Sequence, residues 1–250
     1  MDEQSLASVN WFPVQLPRLY DLYDRSDKSH PDNYFTNFSA TRAEMFLKTI
    51  FQPMEERLQK LDTEAWKQLV EKTLDSVTTK LIRAQANNAS ETRPSRFWAP
   101  LYDFLNEARG YALLADRGYQ KISFIDCNCQ DKKKQRKSPD LLGESQSSTA
   151  ILEVKTINES DKDLEWKERN QSQTRTVTGL SAEFRKKLSS TIAKASAQLN
   201  AYPKPVDKKI VLLLIRFDMD NILEASNYTT LQAMIETIQI SGLDIVHDVI

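Results

Sequence analysis

Glycine is scarce in this sequence, at 5 in 250 residues, and neither GxGxxG nor GxxxxGK[ST] occurs. Dinucleotide-binding and P-loop proteins need such glycines so that the main chain can approach a phosphate, so both classes are excluded. Cysteine and histidine are equally sparse, with only Cys127, Cys129, His30 and His247. The cysteine count excludes a disulfide framework. Two thiols one residue apart cannot close a four-ligand zinc site unaided. Long apolar runs are missing too: the longest, Ile210–Ile215, is far too short to cross a bilayer. The polar, acidic start after Met1 has no apolar stretch of the secretory kind. The expectation is a soluble, cytoplasmic protein with no membrane partner.

An excess of one charge is also absent. Lys plus Arg total 34 against 35 Asp plus Glu, a net charge of −1. A basic coat for non-specific nucleic-acid binding is therefore excluded as a property of the whole chain. The charge is unevenly placed, however. Residues 94–210 hold 21 Lys/Arg against 15 Asp/Glu, a balance of +6, and the remainder holds 13 against 20, a balance of −7. One segment is thus suited to meet an anion. Hydrophobic residues make up 40%, enough for a core and too much for a disordered chain.

The N-terminal part carries Trp11, Phe12, Tyr20, Tyr23, Tyr34, Phe35 and Phe38, broken by Pro13, Pro17 and Pro31. It reads as irregular chain wrapped on the body, since aromatics at that density favour burial. Thr41-Arg-Ala-Glu44 is a capping box that starts a helix, with Pro53 ending or kinking it. Helical spacing of Trp66, Leu69, Val70, Thr73, Leu74, Val77, Leu81 and Ile82 predicts a helix over about 62–86. The polar stretch 87–94 is a boundary. We expect a helical, aromatic-bearing extension over 1–94 that faces away from substrate or mediates self-association in a homo-oligomer, and a second domain over 95–250.

In that second domain, a helix is expected over about 96–117 (Trp98, Leu101, Leu105, Ala108, Ala112, Ala115), stopped by Gly118. Strands are expected over 121–128, around Asp140 and over 150–157, with a Gly/Ser turn at 143–148. A polar loop over 158–180 precedes a helix from Ser181 to about Ala201, with Leu188, Ile192, Ala195 and Leu199 on its stripe. The stretch 210–217, apolar but for Arg216, predicts a strand buried on both faces. A last helix is expected over 230–240. The fold class is α/β.

One constellation points to chemistry. Ser138-Pro139-Asp140 is followed by Ile151-Leu152-Glu153-Val154-Lys155, with 12 residues between Asp140 and Glu153. Alternation on a strand places Glu153 and Lys155 on the same face. If the strand at Asp140 is the hairpin partner, Asp140 comes beside Glu153. Two carboxylates pressed together repel, and a divalent cation relieves that repulsion. Mg²⁺ or Mn²⁺ takes one or two carboxylates, keeps several waters and accepts a phosphate oxygen. It activates a bound water and stabilises charge at phosphorus, and Lys155 can position that water or offset the charge. The plainer alternative is a salt-bridged Glu and Lys on a partly exposed strand. Acid-x-Lys alone is uninformative, since it also occurs at Asp131-Lys133, Glu165-Lys167 and Asp207-Lys209.

On these residues, over about 96–217, the sequence resembles the PD-(D/E)XK nuclease superfamily. The resemblance extends to element order: helix, strand, strand with Pro139-Asp140, strand with Glu153-Val154-Lys155, helix, strand. It implies a restriction-endonuclease-like αβββαβ core, a mixed central sheet flanked by helices, behind an N-terminal helical extension. It implies Asp140, Glu153 and the backbone carbonyl of Val154 as metal ligands. Lys155 is then a catalytic lysine, and Glu107 is the glutamate that such families commonly carry on the first core helix. Gln198-Leu199-Asn200-Ala201-Tyr202 looks like the QxxxY motif of the RecB-like branch, whose Gln and Tyr orient nucleic acid and the lysine. Pro203 directly after Tyr202 departs from that pattern.

The basic run Lys132, Lys133, Lys134, Arg136 and Lys137 either holds a phosphate backbone beside the site or forms a solvated hairpin tip. The same two readings apply to Arg185, Lys186, Lys187 and Lys194. Asp126 is a competing acid, more simply a turn residue at a strand end. The leading functional expectation is a Mg²⁺- or Mn²⁺-dependent nuclease hydrolysing phosphodiester bonds, a DNA endonuclease before an RNA one. The alternatives are a catalytically inactive nuclease-like binding module and a tRNA-type RNA nuclease.

Overall fold

The structure is a computed structural model that describes residues 12–25, 47–86, 99–125, 138–157, 182–215, 225–238 and 240–249. Among them, no helix is long and apolar enough to cross a membrane. By compactness the chain divides into two units, Met1–Arg117 and Gly118–Ile250. The sequence reading set its division at 94/95.

The first unit is helical among its described residues: α1 (Phe12–Gln15), α2 (Pro17–Arg25), a π-helical turn (Leu47–Phe51) running into α3 (Gln52–Gln59), α4 (Thr63–Ala86) and α5 (Ala99–Asp116). The expectation of irregular chain before residue 40 is corrected by α1 and α2. Pro17 opens α2, where its missing N–H costs nothing, so it starts a helix and does not break one. Leu19, Leu22 and Tyr23 then form a buried stripe at helical spacing. The start of α2 is capped from elsewhere in the unit: the buried Glu55 carboxylate accepts the backbone N–H groups of Arg18 at 2.9 Å and Leu19 at 3.0 Å. Pro53 falls in the first turn of α3, so it neither ends nor interrupts that helix. The capping box at Thr41 lies outside the described residues. Trp66 is a core residue, as expected; its indole N–H donates to Asp21 and Arg18 lies over its ring. Gly118, at φ 85°, supplies the left-handed conformation that closes α5.

The second unit contains a five-stranded sheet in the order β1-β2-β3-β4-β5. The strands are β1 (Lys121–Phe124), β2 (Leu141–Glu144), β3 (Thr149–Ile157), β4 (Lys208–Ile215) and β5 (Leu243–Val249), with α6 (Ala182–Asn200) between β3 and β4 and α7 (Ala225–Thr237) between β4 and β5. β1–β2 and β2–β3 are antiparallel, and β3–β4 and β4–β5 are parallel. The parallel pairs need crossovers, which α6 and α7 provide. The chain is therefore α/β with a mixed sheet flanked by helices.

Alternation along the strands decides which residues meet those helices. Ile151 and Ile157 of β3 and Val211, Leu213 and Ile215 of β4 share one core with Leu188, Ile192, Ala195 and Leu199 of α6 and Leu231 and Ile235 of α7. The predicted α6 stripe is fully buried. Each such leucine or isoleucine contributes about 1.5–3 kcal/mol of burial. All six residues of Ile210–Ile215 are buried, in keeping with a strand covered on both faces. Three details differ from the sequence reading. β2 begins just after Asp140, and Gly143 belongs to it, so the turn is confined to residues 145–148. The last helix is Ala225–Thr237 rather than 230–240. A fifth strand, β5, was not anticipated.

Candidate active site

Glu153 and Lys155 lie on the odd-numbered face of β3, between Ile151 and Ile157, and this face packs under α6. An acid at such a position departs from the apolar pattern on either side of it. The Glu153 side chain is 1% exposed, and its Oε1 is ion-paired with Lys155 Nζ. Its Oε2 is buried with no hydrogen-bond partner. Lys155 is the more open member, with its side chain 26% exposed.

Asp140 is brought beside them by the β2–β3 register. Leu141 pairs with Leu152, and the chain bends at Asp140 just before β2, so that its N–H turns to β3 and its carbonyl to β1. Its backbone N–H donates to Leu152 O at 3.0 Å, and its carbonyl accepts from Ile125 N at 2.9 Å. Its carboxylate Oδ2 accepts the Val154 backbone N–H at 2.8 Å. The N–H and C=O of one strand residue point to the same edge. The Val154 carbonyl therefore points to the Asp140 side, beyond the end of β2.

Gln198, on α6, donates its side-chain amide to the Ser138 carbonyl at 3.3 Å, two residues before Asp140. It also faces the Glu153 carboxylate and favours its charged form. Burial pushes the Glu153 carboxyl up to about 7, and the neighbouring Asp140 charge pushes the same way, against the opposing pull of Lys155 and Gln198. Buried carboxylates ordinarily have hydrogen-bonded oxygens, so a buried acid with one orphaned oxygen and a second acid beside it calls for a cation.

The donor set fits a hard divalent ion. Asp140, Glu153 and the Val154 carbonyl offer oxygen only, which suits Mg²⁺ or Mn²⁺. Among the described residues no group of three or more His, Cys, Asp or Glu forms a cluster. Mg²⁺ does not need one, since it is held by one or two carboxylates with water and substrate oxygens.

The remaining expected residues are placed less simply. Glu107 lies in the first unit, on α5, buried and ion-paired with Lys72 at 2.7 Å. Tyr202 lies beyond α6, which ends at Asn200, and packs half-buried against the sheet–helix core. The Gln198–Tyr202 spacing is therefore not a helical one, as the bias of a residue before proline leads one to expect. Lys132, Lys133, Lys134, Arg136 and Lys137 lie outside the described residues, as do Asp126, Cys127, Cys129 and the loop 158–180. No protein-family model, curated protein or solved structure matches the chain.

Proposed function

We propose that this chain is a metal-dependent nuclease of the PD-(D/E)XK type, with a restriction-endonuclease-like core, that hydrolyses phosphodiester bonds in nucleic acid, DNA before RNA. The single observation that carries the reading is the Glu153 carboxylate. It is buried on an otherwise apolar strand face, orphaned at Oε2 and next to Asp140 and Lys155. The strand order and directions of β1–β4 support it, as does the helix–strand–strand–strand–helix–strand sequence of α5 to β4.

In this reading Asp140, Glu153 and the Val154 carbonyl hold Mg²⁺ or Mn²⁺. The ion, when bound, acidifies a water and stabilises charge on the phosphoryl group. Lys155 turns its ammonium from Glu153 toward the attacking water and the phosphate, offsetting the charge that develops there. Glu153 must be ionised to serve as a ligand, and the cation and Lys155 together favour that form.

One observation favours a second reading, an inactive nuclease-like binding module: Lys155 and Glu153 already close an ion pair with each other. A cleavage assay on labelled duplex DNA, single-stranded DNA and RNA, with Mg²⁺, Mn²⁺ or chelator, separates the two. Cleavage is expected with either metal and none with chelator. Asp140→Asn and Glu153→Gln are expected to abolish it with the fold retained, since each removes metal charge and little packing. Undiminished cleavage by Asp140→Asn removes this site from the mechanism. Nucleic-acid binding without cleavage under every condition leaves the binding module standing.

A further inference from the structure

We propose that Gln198 is a positioning residue, holding the Ser138–Asp140 segment against β3, and does not contact nucleic acid. This rests on the metal-site reading above and gives Gln198 a role other than the nucleic-acid one its QxxxY motif implies.

Leu199, Ala195 and Ile192 fix α6 on the sheet core, so the Gln198 backbone has little freedom. Its side chain crosses to Ser138, 60 residues away in sequence, and donates to that carbonyl. Pro139 joins Ser138 to Asp140 and is buried. Its ring fixes φ, so the position of Ser138 is passed on to Asp140 with little slack. The same amide faces the Glu153 carboxylate. One side chain thus bridges the two acidic segments on which a cation would depend.

The chemistry of the amide limits what it can offer nucleic acid. A glutamine has two N–H donors on one nitrogen and one acceptor oxygen. With one N–H committed inward to Ser138, the amide keeps a single donor beside its acceptor oxygen. Phosphate oxygens are acceptors as well and need donors.

The test uses the full chain and two variants. Gln198→Met keeps the length and removes the donor, and Gln198→Ala serves if Met is not tolerated. Four quantities are read: the metal-free melting temperature, Mn²⁺ affinity by calorimetry, duplex affinity by gel shift in EDTA, and kcat and KM on a labelled duplex. Loss of an outer partner of metal ligands weakens metal affinity by about 10–100-fold. Mn²⁺ affinity is therefore expected to fall at least about tenfold, with kcat down and KM and EDTA duplex affinity within about twofold of wild type. A variant that folds and binds Mn²⁺ as wild type does overturns the proposal. If its duplex affinity falls instead, Gln198 is a nucleic-acid contact. If wild type takes up no Mn²⁺, the metal-site reading fails and this proposal with it, a different result from a Mn²⁺-binding wild type whose variant binds equally well.

Discussion

The carboxylate of Asp140 accepts the backbone N–H of Val154 at 2.8 Å, while the backbone N–H of Asp140 donates to Leu152 at 3.0 Å. These two bonds straddle Glu153. Asp140 is therefore held by main-chain geometry opposite the acid it repels. A one-residue slip of β2 against β3 would turn every side chain of one strand to the opposite face and would dissolve the pair. The serine turn at 145–148, where Ser145 Oγ accepts the Ser148 N–H at 3.1 Å, helps to fix that register.

Glu153 makes stability depend on pH. Its folded-state pKa of about 7 lies above the ordinary 4.5, so the folded chain retains a proton that the unfolded chain has released. The contribution is fully present below about 4.5 and is lost as pH rises to about 7. The integrated difference is about 3 kcal/mol. Chemical denaturation in EDTA from pH 4 to 8.5 is expected to show this decline, and Glu153→Gln to flatten it. Mg²⁺ is expected to reverse the trend, raising the midpoint more at pH 8 than at pH 6, because binding requires the ionised carboxylate. An equally steep decline in Glu153→Gln would show that another group is responsible.

Lys155 is expected to be irreplaceable for cleavage. Arginine is planar and bulky and does not reproduce an ammonium at one point. Lys155→Arg and Lys155→Ala should each lose about a hundredfold or more in kcat, comparable to removing another preorganised electrostatic group. Nucleic-acid affinity should change little, since one cation is a small share of the phosphate contacts. Wild-type cleavage by Lys155→Arg, or cleavage and binding falling in parallel, would reduce Lys155 to a structural partner of Glu153.

In the first unit, Glu55 is the anchor of α2. Glu55→Ala removes the acceptor for the Arg18 and Leu19 N–H groups and is expected to destabilise the chain by about 1–3 kcal/mol, the penalty for leaving buried donors unsatisfied. Glu55→Gln keeps an acceptor oxygen and should be milder. Urea unfolding followed by Trp fluorescence reads both, since Trp66 is hydrogen-bonded to Asp21 of α2. Equal midpoints for wild type and Glu55→Ala would mean that the cap contributes nothing.

Asp207, just before β4, accepts the Thr149 backbone N–H at 2.7 Å and the Thr149 hydroxyl at 3.0 Å. These bonds hold its carboxyl below the usual carboxylate range. Its contribution is therefore present above the unfolded value near 3.8 and is lost as pH falls through the lower folded value. Asp207→Asn should lower the melting temperature at pH 7 and leave it unchanged near pH 2. An equal drop at both would point to packing in place of charge.

Local patterning made much of this legible. The helical stripes of α4, α5 and α6, the alternation of β3 and the apolar run of β4 each report a face that must be buried, so they could be read without partners. The glycine stop at Gly118 and the charged pair inside an apolar strand were readable for the same reason. α1 and α2 were not, because Pro17 breaks a helix or opens one depending on its position within it, and the cap that favours opening comes from Glu55, more than 30 residues away. β5 was missed although Leu243–Val249 carries β-branched residues, since its pairing partner is another strand's edge.

The chain alone determined which residues could carry chemistry, because Asp140, Glu153 and Lys155 stand out against what surrounds them in sequence. Only the tertiary structure decided that Asp140 straddles Glu153, that Glu153 Oε2 is left without a partner, and that Gln198 reaches Ser138. These depend on strand register and on the seating of α6 over β3. Both are set by contacts between residues far apart in the chain, and such contacts form only when the apolar faces of the sheet and helix close on each other.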